Sequence, residues 1–127
     1  MMIITKSLMI GFILLMLASC GDTINPADTE FPEKNVSYLY HVEPFMKANC
    51  AFSGCQGINA KIELSDYFHL LSATGFVKPG NPDGSLIIQI LEQKLPHPAQ
   101  YPIYFNQIKD NQVKGMRIWV KEGALNN

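Results

Sequence analysis

Apolar residues recur at spacings of three and four between positions 37 and 50, and this period predicts one helix there. The apolar face of this helix is formed by Leu39, Val42, Phe45, Met46 and Cys50. Pro44 interrupts the segment, so the firm helix is expected to begin near it, where a missing N–H costs little. Cys50 is therefore expected at the C-terminal end of this helix.

Two short helices are predicted in the middle of the chain. Ser65 is expected to cap the first, which runs through Ala73 and has Asp66 in its first turn. Asn81 is expected to cap the second, with Pro82 at its first helical position. The apolar set of this second helix is Leu86, Ile87, Ile90 and Leu91.

The last predicted helix begins at Asp110 and ends at Gly123, a residue type that favours the position after a helix. One side of it carries Val113, Met116, Trp119 and Val120. The whole pattern predicts a small all-α domain of about four short helices with long loops. Its core is expected to contain Trp119, Phe45, Phe68 and the apolar face of the preceding helix.

Prolines at positions 96, 98 and 102 exclude a regular helix between the last two helices. The aromatic loop at residues 101–105 is expected to fold inward, because Ile and Phe prefer burial. The alternative is that this loop stays exposed as a patch that binds a partner.

The N-terminal segment is predicted to be a targeting signal rather than part of the fold. Residues 1–19 combine Lys6, a short apolar run at 8–17 and small residues before Cys20. This arrangement resembles a bacterial lipoprotein signal, which implies that Cys20 is lipidated and holds the protein at a membrane of the cell envelope, on the outer membrane or the periplasmic face. The alternative is a plain secretory signal or anchor. Residues 20–35 are predicted to be a lipidated tether, and residues 36–127 the folded domain.

Charge and motif content exclude two classes of function. The formal net charge is −1 and the basic residues do not cluster, so a nucleic-acid partner is not expected. No Ser/His/Asp ordering, paired-carboxylate motif or phosphate loop is present, so the sequence does not predict an enzyme.

Three parts of the chain resemble the cytochrome-c-like domains of bacterial envelope lipoproteins. They are Cys50 and Cys55 with four residues between them, the run Pro-Gly-Asn-Pro-Asp-Gly-Ser-Leu at 79–86, and Trp-Val-Lys-Glu-Gly-Ala at 119–124. The resemblance extends from about Tyr38 to Asn127. It implies a small helical fold in which two cysteines attach haem c, a histidine follows the second cysteine, and a later loop supplies a methionine.

Both iron ligands of that family are missing. Gln56 stands at the position of the histidine, and Leu95 stands at the position of the methionine. An amide is a poor iron ligand and leucine has no donor atom. The resemblance with these losses therefore implies a domain without haem that acts as a structural or interaction module, with another envelope protein as a possible partner. The alternative is an electron carrier with haem c at Cys50 and Cys55 and an unusual axial ligand, His97.

Cys50 and Cys55 are predicted to form a local disulfide, because thiols outside the cytoplasm are usually oxidised. Haem attachment and a redox-active dithiol are the alternatives. His97 lies between two prolines and is expected to face solvent. His41 and His69 show no metal-ligand spacing, so no metal site is predicted.

Overall fold

The computed structural model describes residues 28–50, 64, 66–95 and 107–127, and within these ranges the only regular secondary structure is helical. This confirms the predicted small all-α domain. A π-helical turn, Tyr38–Val42, leads directly into helix α1, Glu43–Asn49. Helix α2 is Tyr67–Ser72, helix α3 is Leu86–Leu91 and helix α4 is Asp110–Lys121.

The first helical segment places a different residue in the core than the sequence predicts. In the π-helical turn the N–H of Glu43 donates to the carbonyl of Tyr38, five residues back. This wider turn buries Tyr38 and Val42, while Leu39 remains 54% exposed. The placement of Leu39 on the buried face was therefore wrong, because a 3.6-residue period does not hold through a π-helical turn. The start of α1 beside Pro44 is confirmed.

Helix α2 is capped by Asp66, whose carboxylate accepts a hydrogen bond from the N–H of His69 at 2.9 Å. The prediction that Ser65 caps this helix, with Asp66 inside its first turn, was therefore wrong by one residue. The helix has only six residues and buries Leu70. Phe68 points away from the domain and is 73% exposed, so its assignment to the core was also wrong.

Helix α3 begins at Leu86 rather than at Pro82. Residues 81–85 instead form a separate turn, in which Asn81 Oδ1 accepts from the N–H of Gly84 at 3.0 Å. Ser85 closes this turn by donating its hydroxyl to the Asn81 carbonyl at 2.8 Å. The predicted cap at Asn81 therefore belongs to the turn and not to the helix.

Helix α4 has the predicted limits. It begins at Asp110 and its last carbonyls are satisfied by the backbone that follows, with Gly123 in the left-handed region at φ +103°. The N–H of Gly123 donates to Val120 at 3.1 Å, and the N–H of Ala124 donates to Trp119 at 2.9 Å. This pair of bonds is the Schellman arrangement that a glycine after the helix favours.

The centre of the domain lies between α1, α3 and α4 and is filled by side chains. Trp119, Phe45, Met116 and Leu70 have at most 1% of their surface exposed. Aromatic contacts extend this centre, since the Tyr38 ring lies 5.9 Å from Trp119 and 5.2 Å from Tyr67.

The segment that precedes the π-helical turn is packed against α4. Thr29 and Phe31 are buried, although both lie in the part of the chain predicted to be a tether. Phe31 covers Gly115, where any added Cβ would overlap the Phe31 side chain. Packing against the domain therefore begins by Thr29 in the described part of the chain.

Candidate functional site

Cys50 lies where the sequence predicts it, directly after α1. It is the residue that ends this helix, and its N–H donates to the Met46 carbonyl at 2.8 Å. Its surface is 3% exposed, and it belongs to the same hydrophobic cluster as Phe45 and Trp119. Cys55 and Gln56 lie outside the described residues, so the predicted disulfide and the altered ligand position remain predictions.

Leu95, at the position of the family's methionine, lies just beyond the end of α3 and is half-buried. Gln93 takes the left-handed conformation at φ +56°, and the N–H of Lys94 donates to Gln89 at 2.8 Å. These two features end the helix in a second Schellman arrangement and direct the chain into residues 96–106. That range, with His97 and the aromatic loop, lies outside the described residues.

The two sequence runs that carry the family resemblance touch each other. The N–H of Gly80, in the run 79–86, donates to the carbonyl of Val120, in the run 119–124, at 2.7 Å. Gly80 has φ +78°, a conformation that glycine adopts without the steric cost of a side chain. The turn before α3 is thereby fixed to the C-terminal end of α4.

The buried side chain of Ser85 fixes the conformation of the run 79–86 through hydrogen bonds to the backbone. Its side chain is fully buried, and its oxygen accepts from the N–H of Lys78 at 2.8 Å while its hydroxyl donates to Asn81. The serine of this run therefore holds both sides of one turn. Its chemistry here is structural, because both bonds of the hydroxyl are made to the backbone.

The run 119–124 is held in a similar way. Trp119 is buried and its indole N–H donates to the Leu125 carbonyl at 3.0 Å. The Tyr67 hydroxyl donates to the Ala124 carbonyl at 3.0 Å, which ties α2 to the residues after α4. These contacts account for the Trp, Gly and Ala of the run by packing and backbone geometry.

An ionic network that the sequence reasoning missed joins α3 and its preceding turn to α4. Arg117 donates to Asp83 at 2.5 Å and to Glu92 at 2.9 Å, and Lys94 lies 2.6 Å from the other oxygen of Glu92. The Arg117 side chain holds the pKa of Asp83 below its usual range, chiefly through their hydrogen bond, and the same bond raises the pKa of Arg117. No sequence signal points to this network, since Asp83 and Arg117 are 34 residues apart.

Two of the three histidines can be placed. His41 is half-buried, its Nδ1 accepts from the N–H of Ser37 at 3.1 Å, and its ring lies 5.8 Å from that of Phe31. His69 is exposed and its Nδ1 lies 2.8 Å from a carboxylate oxygen of Asp66. The bonds that His69 makes to Asp66, first of all that from its backbone N–H, lower the pKa of Asp66. Each ring thus serves a local contact at the start of a helix.

Two of the positions at which the resemblance implies contacts to haem, Cys50 and Leu95, lie among the described residues. Leu95 has no donor atom, and Cys50 lies in a centre closed by side chains.

Within the described ranges, no group of three or more His, Cys, Asp or Glu side chains is arranged to hold a metal ion. None of the helices in these ranges combines the length and hydrophobicity that a membrane-spanning helix needs.

Comparisons with protein-family models, with curated proteins and with solved structures find no match to this chain.

Proposed function

We propose that this chain is a lipid-anchored protein of the bacterial cell envelope whose cytochrome-c-like domain carries no haem and acts as a structural or interaction module. The anchor is a lipid on Cys20, and the role is non-catalytic. The observation that carries the proposal is the position of Cys50. It ends α1, as the first attachment cysteine of the family does, yet the residue is only 3% exposed and belongs to the hydrophobic core cluster.

The contact between Gly80 and Val120 supports the assignment to this type of domain. The two runs that resemble the family lie 40 residues apart in sequence at their contact point, and each is shaped by its own glycine. This contact joins the two runs on which the proposed assignment rests.

The loss of the iron ligands supports the absence of haem. With Leu95 in place of a sulfur donor, one side of the iron would face hydrocarbon. Phe45, Trp119 and Met116 are fully buried, and in this proposal such side chains close the centre that a porphyrin would otherwise occupy. In this proposal Cys50 and Cys55 form a disulfide that fixes the turn after α1.

Haem content is tested on the full chain, expressed together with the machinery that attaches haem to cytochromes c. We expect no Soret band, and a denatured mass lower by two hydrogens than that of the reduced chain. A Soret band with haem retained in the denatured protein would overturn the proposal and favour the electron carrier. The double variant Gln56→His, Leu95→Met is the matched comparison. If haem attaches covalently to this variant and not to the unmodified chain, then the residues at these two positions are the reason that the unmodified chain binds no haem.

Lipidation is tested separately by labelling cells with an alkyne fatty acid. We expect label on the full chain and on Cys55→Ser, and none on Cys20→Ser. Cys55→Ser is the matched control, since it removes a thiol by the same chemical change. Label that persists in Cys20→Ser would refute the proposed anchor and leave the haem question unaffected.

A further inference from the structure

The π-helical turn presents two large apolar side chains to solvent. Leu39 is 54% exposed and Tyr40 is 73% exposed, and they are adjacent in sequence. A regular α-helical period would have turned Leu39 toward the core, as the sequence pattern predicts. The π-helical turn buries Tyr38 in its place. Single π-helical turns are rare and frequently occur at functional sites, so this exposed pair is a candidate contact surface.

The exposed pair borders an open groove of about 670 Å³. We call this surface the Leu39–Tyr40 face; the groove is lined by Asp28, Thr29, Glu30, Leu39, Tyr40, His41 and Pro44. The two carboxylates at its edge share one cation, Lys109, whose Nζ lies 3.1 Å from Asp28 and 3.7 Å from Glu30. Its hydrogen bond to Asp28 is the main cause that raises the pKa of Lys109. Each carboxylate at the edge of the groove therefore has Lys109 as an ion-pair partner, and the three side chains together carry one net negative charge.

The short length of chain between Cys20 and the groove indicates which surface the groove faces. Asp28 lines the groove, and Cys20 lies eight residues before it. Eight residues span at most about 26–29 Å even when fully extended. A lipid on Cys20 therefore holds the bilayer surface within that distance of Asp28, which lines the same groove as the exposed apolar pair.

We propose that the Leu39–Tyr40 face rests on the lipid–water interface of the membrane to which Cys20 is anchored. This inference rests on the lipid anchor of the proposed function. A tyrosine suits the interface because its ring is apolar and its hydroxyl is polar, and a leucine beside it adds apolar area in the acyl region. The lipid supplies the stable attachment, and the face orients the domain on the surface.

Depth-dependent fluorescence quenching tests this contact. The full chain is reconstituted into phosphatidylcholine vesicles with or without brominated acyl chains, and Trp119, which is fully buried, supplies the background. The reporter variant is Tyr40→Trp. The matched control is Phe68→Trp, since Tyr40 and Phe68 are both 73% exposed.

For residue 40 we expect brominated lipid to remove roughly half of the added emission, because interfacial side chains lie about 5–10 Å deep. For residue 68 we expect a loss close to that of the unmodified chain. A reporter at 40 that is quenched no more than the one at 68, on protein that floats with the vesicles, would overturn the membrane contact and favour a protein occupant. Failure of the unmodified chain to float with the vesicles would refute the anchor, and this inference with it.

Discussion

The side chain of Ser85 stabilises the turn before α3 through hydrogen bonds. Its buried oxygen accepts from the N–H of Lys78 and its hydroxyl donates to Asn81, both at 2.8 Å. Because Ser85 is fully buried, its hydroxyl makes these bonds inside the protein, where a polar group needs a partner. The free energy of unfolding should therefore be sensitive to this single oxygen atom.

Ser85→Ala is expected to lower the free energy of unfolding by about 1–3 kcal/mol, because it removes the acceptor of the Lys78 N–H and the donor to the Asn81 carbonyl. Urea unfolding followed by circular dichroism measures the change. Ser72→Ala is the matched control, since the Ser72 hydroxyl also donates to a backbone carbonyl but is exposed. We expect the control to stay within about 0.5 kcal/mol of the unmodified chain. Equal effects of the two variants would contradict the structural role of Ser85.

Alkaline pH is expected to lower the free energy of unfolding through the ionisation of Tyr38. Burial, and after it the nearby charge of Glu43, raises the pKa of Tyr38 to about 12. An unfolded tyrosine ionises near pH 10, so the stability contributed by neutral Tyr38 is complete below about pH 10 and is lost as pH rises through about 12.

The variant Tyr38→Phe has no hydroxyl to ionise and is expected to lose less stability than the unmodified chain between about pH 9 and about pH 11. Urea unfolding at the two pH values gives the comparison. Tyr40→Phe, at an exposed position in the same turn, keeps Tyr38 and should retain the full loss. Parallel behaviour of Tyr38→Phe and the unmodified chain would show that Tyr38 does not govern this pH range.

At the scale of elements, Arg117 connects α4 with both ends of α3. It reaches Asp83 in the turn before α3 and Glu92 at its C-terminal end. These side chains are partly exposed, so salt screens the pairs. Their effect on the packing of α3 against α4 should therefore depend on both salt and pH.

Arg117→Met is expected to lower the melting temperature near pH 7, because it removes both ion pairs and leaves the half-buried Glu92 with Lys94 alone. The depressed pKa of Asp83 means that its pairing stabilises the fold above about pH 4 and is lost as pH falls further. The difference from the unmodified chain should therefore shrink at about pH 3 and in high salt. Thermal unfolding measures the melting temperatures. The control is Lys114→Met, a substitution at an exposed position of the same helix. A difference in melting temperature that is the same at about pH 3 and near pH 7 would show that the effect of Arg117→Met does not come from its ion pairs.

Helix α4 could be predicted from the sequence in full, because its apolar period is regular and a glycine follows it. The first helical segment could be predicted only in part. Its π-helical turn shifts the buried positions from Leu39 to Tyr38, and no local residue marks such a turn. The start of α3 was missed because Asn81 and Ser85 close a turn with the same polar groups that also cap helices.

The candidate site was predicted to a smaller extent than the helices. The placement of Cys50 at the end of α1 follows from the helical period, and the structure confirms it. The roles of Cys55, Gln56 and His97 remain predictions, because they lie outside the described residues. The Leu39–Tyr40 face could not be predicted, since it depends on the π-helical turn and on packing of residues 28–31 beside that turn.

At the scale of the whole molecule, α4 holds the N-terminal segment of the described chain along its length. Asn111 accepts from the N–H of Phe31 at 2.7 Å and donates to its carbonyl at 2.9 Å. Glu122 accepts from the N–H groups of Asn35 and Val36 at 2.7 and 3.0 Å. These side-chain contacts to backbone join positions 80 or more residues apart, so no periodicity in the sequence could have revealed them.

This arrangement predicts that the N-terminal segment can be released without unfolding the helices. In Asn111→Ala the N–H of Phe31 loses its acceptor, while the bond of the Trp119 indole N–H to Leu125 is unaffected. Hydrogen exchange followed by mass spectrometry should show amides of residues 31–36 exchanging about tenfold faster for each 1.4 kcal/mol lost, with α3 and α4 little changed. Asn126→Ala, at an exposed position, is the matched control and should leave the exchange of this segment unchanged. Acceleration spread equally over all helices would instead mean that the segment and the helices open as one cooperative unit.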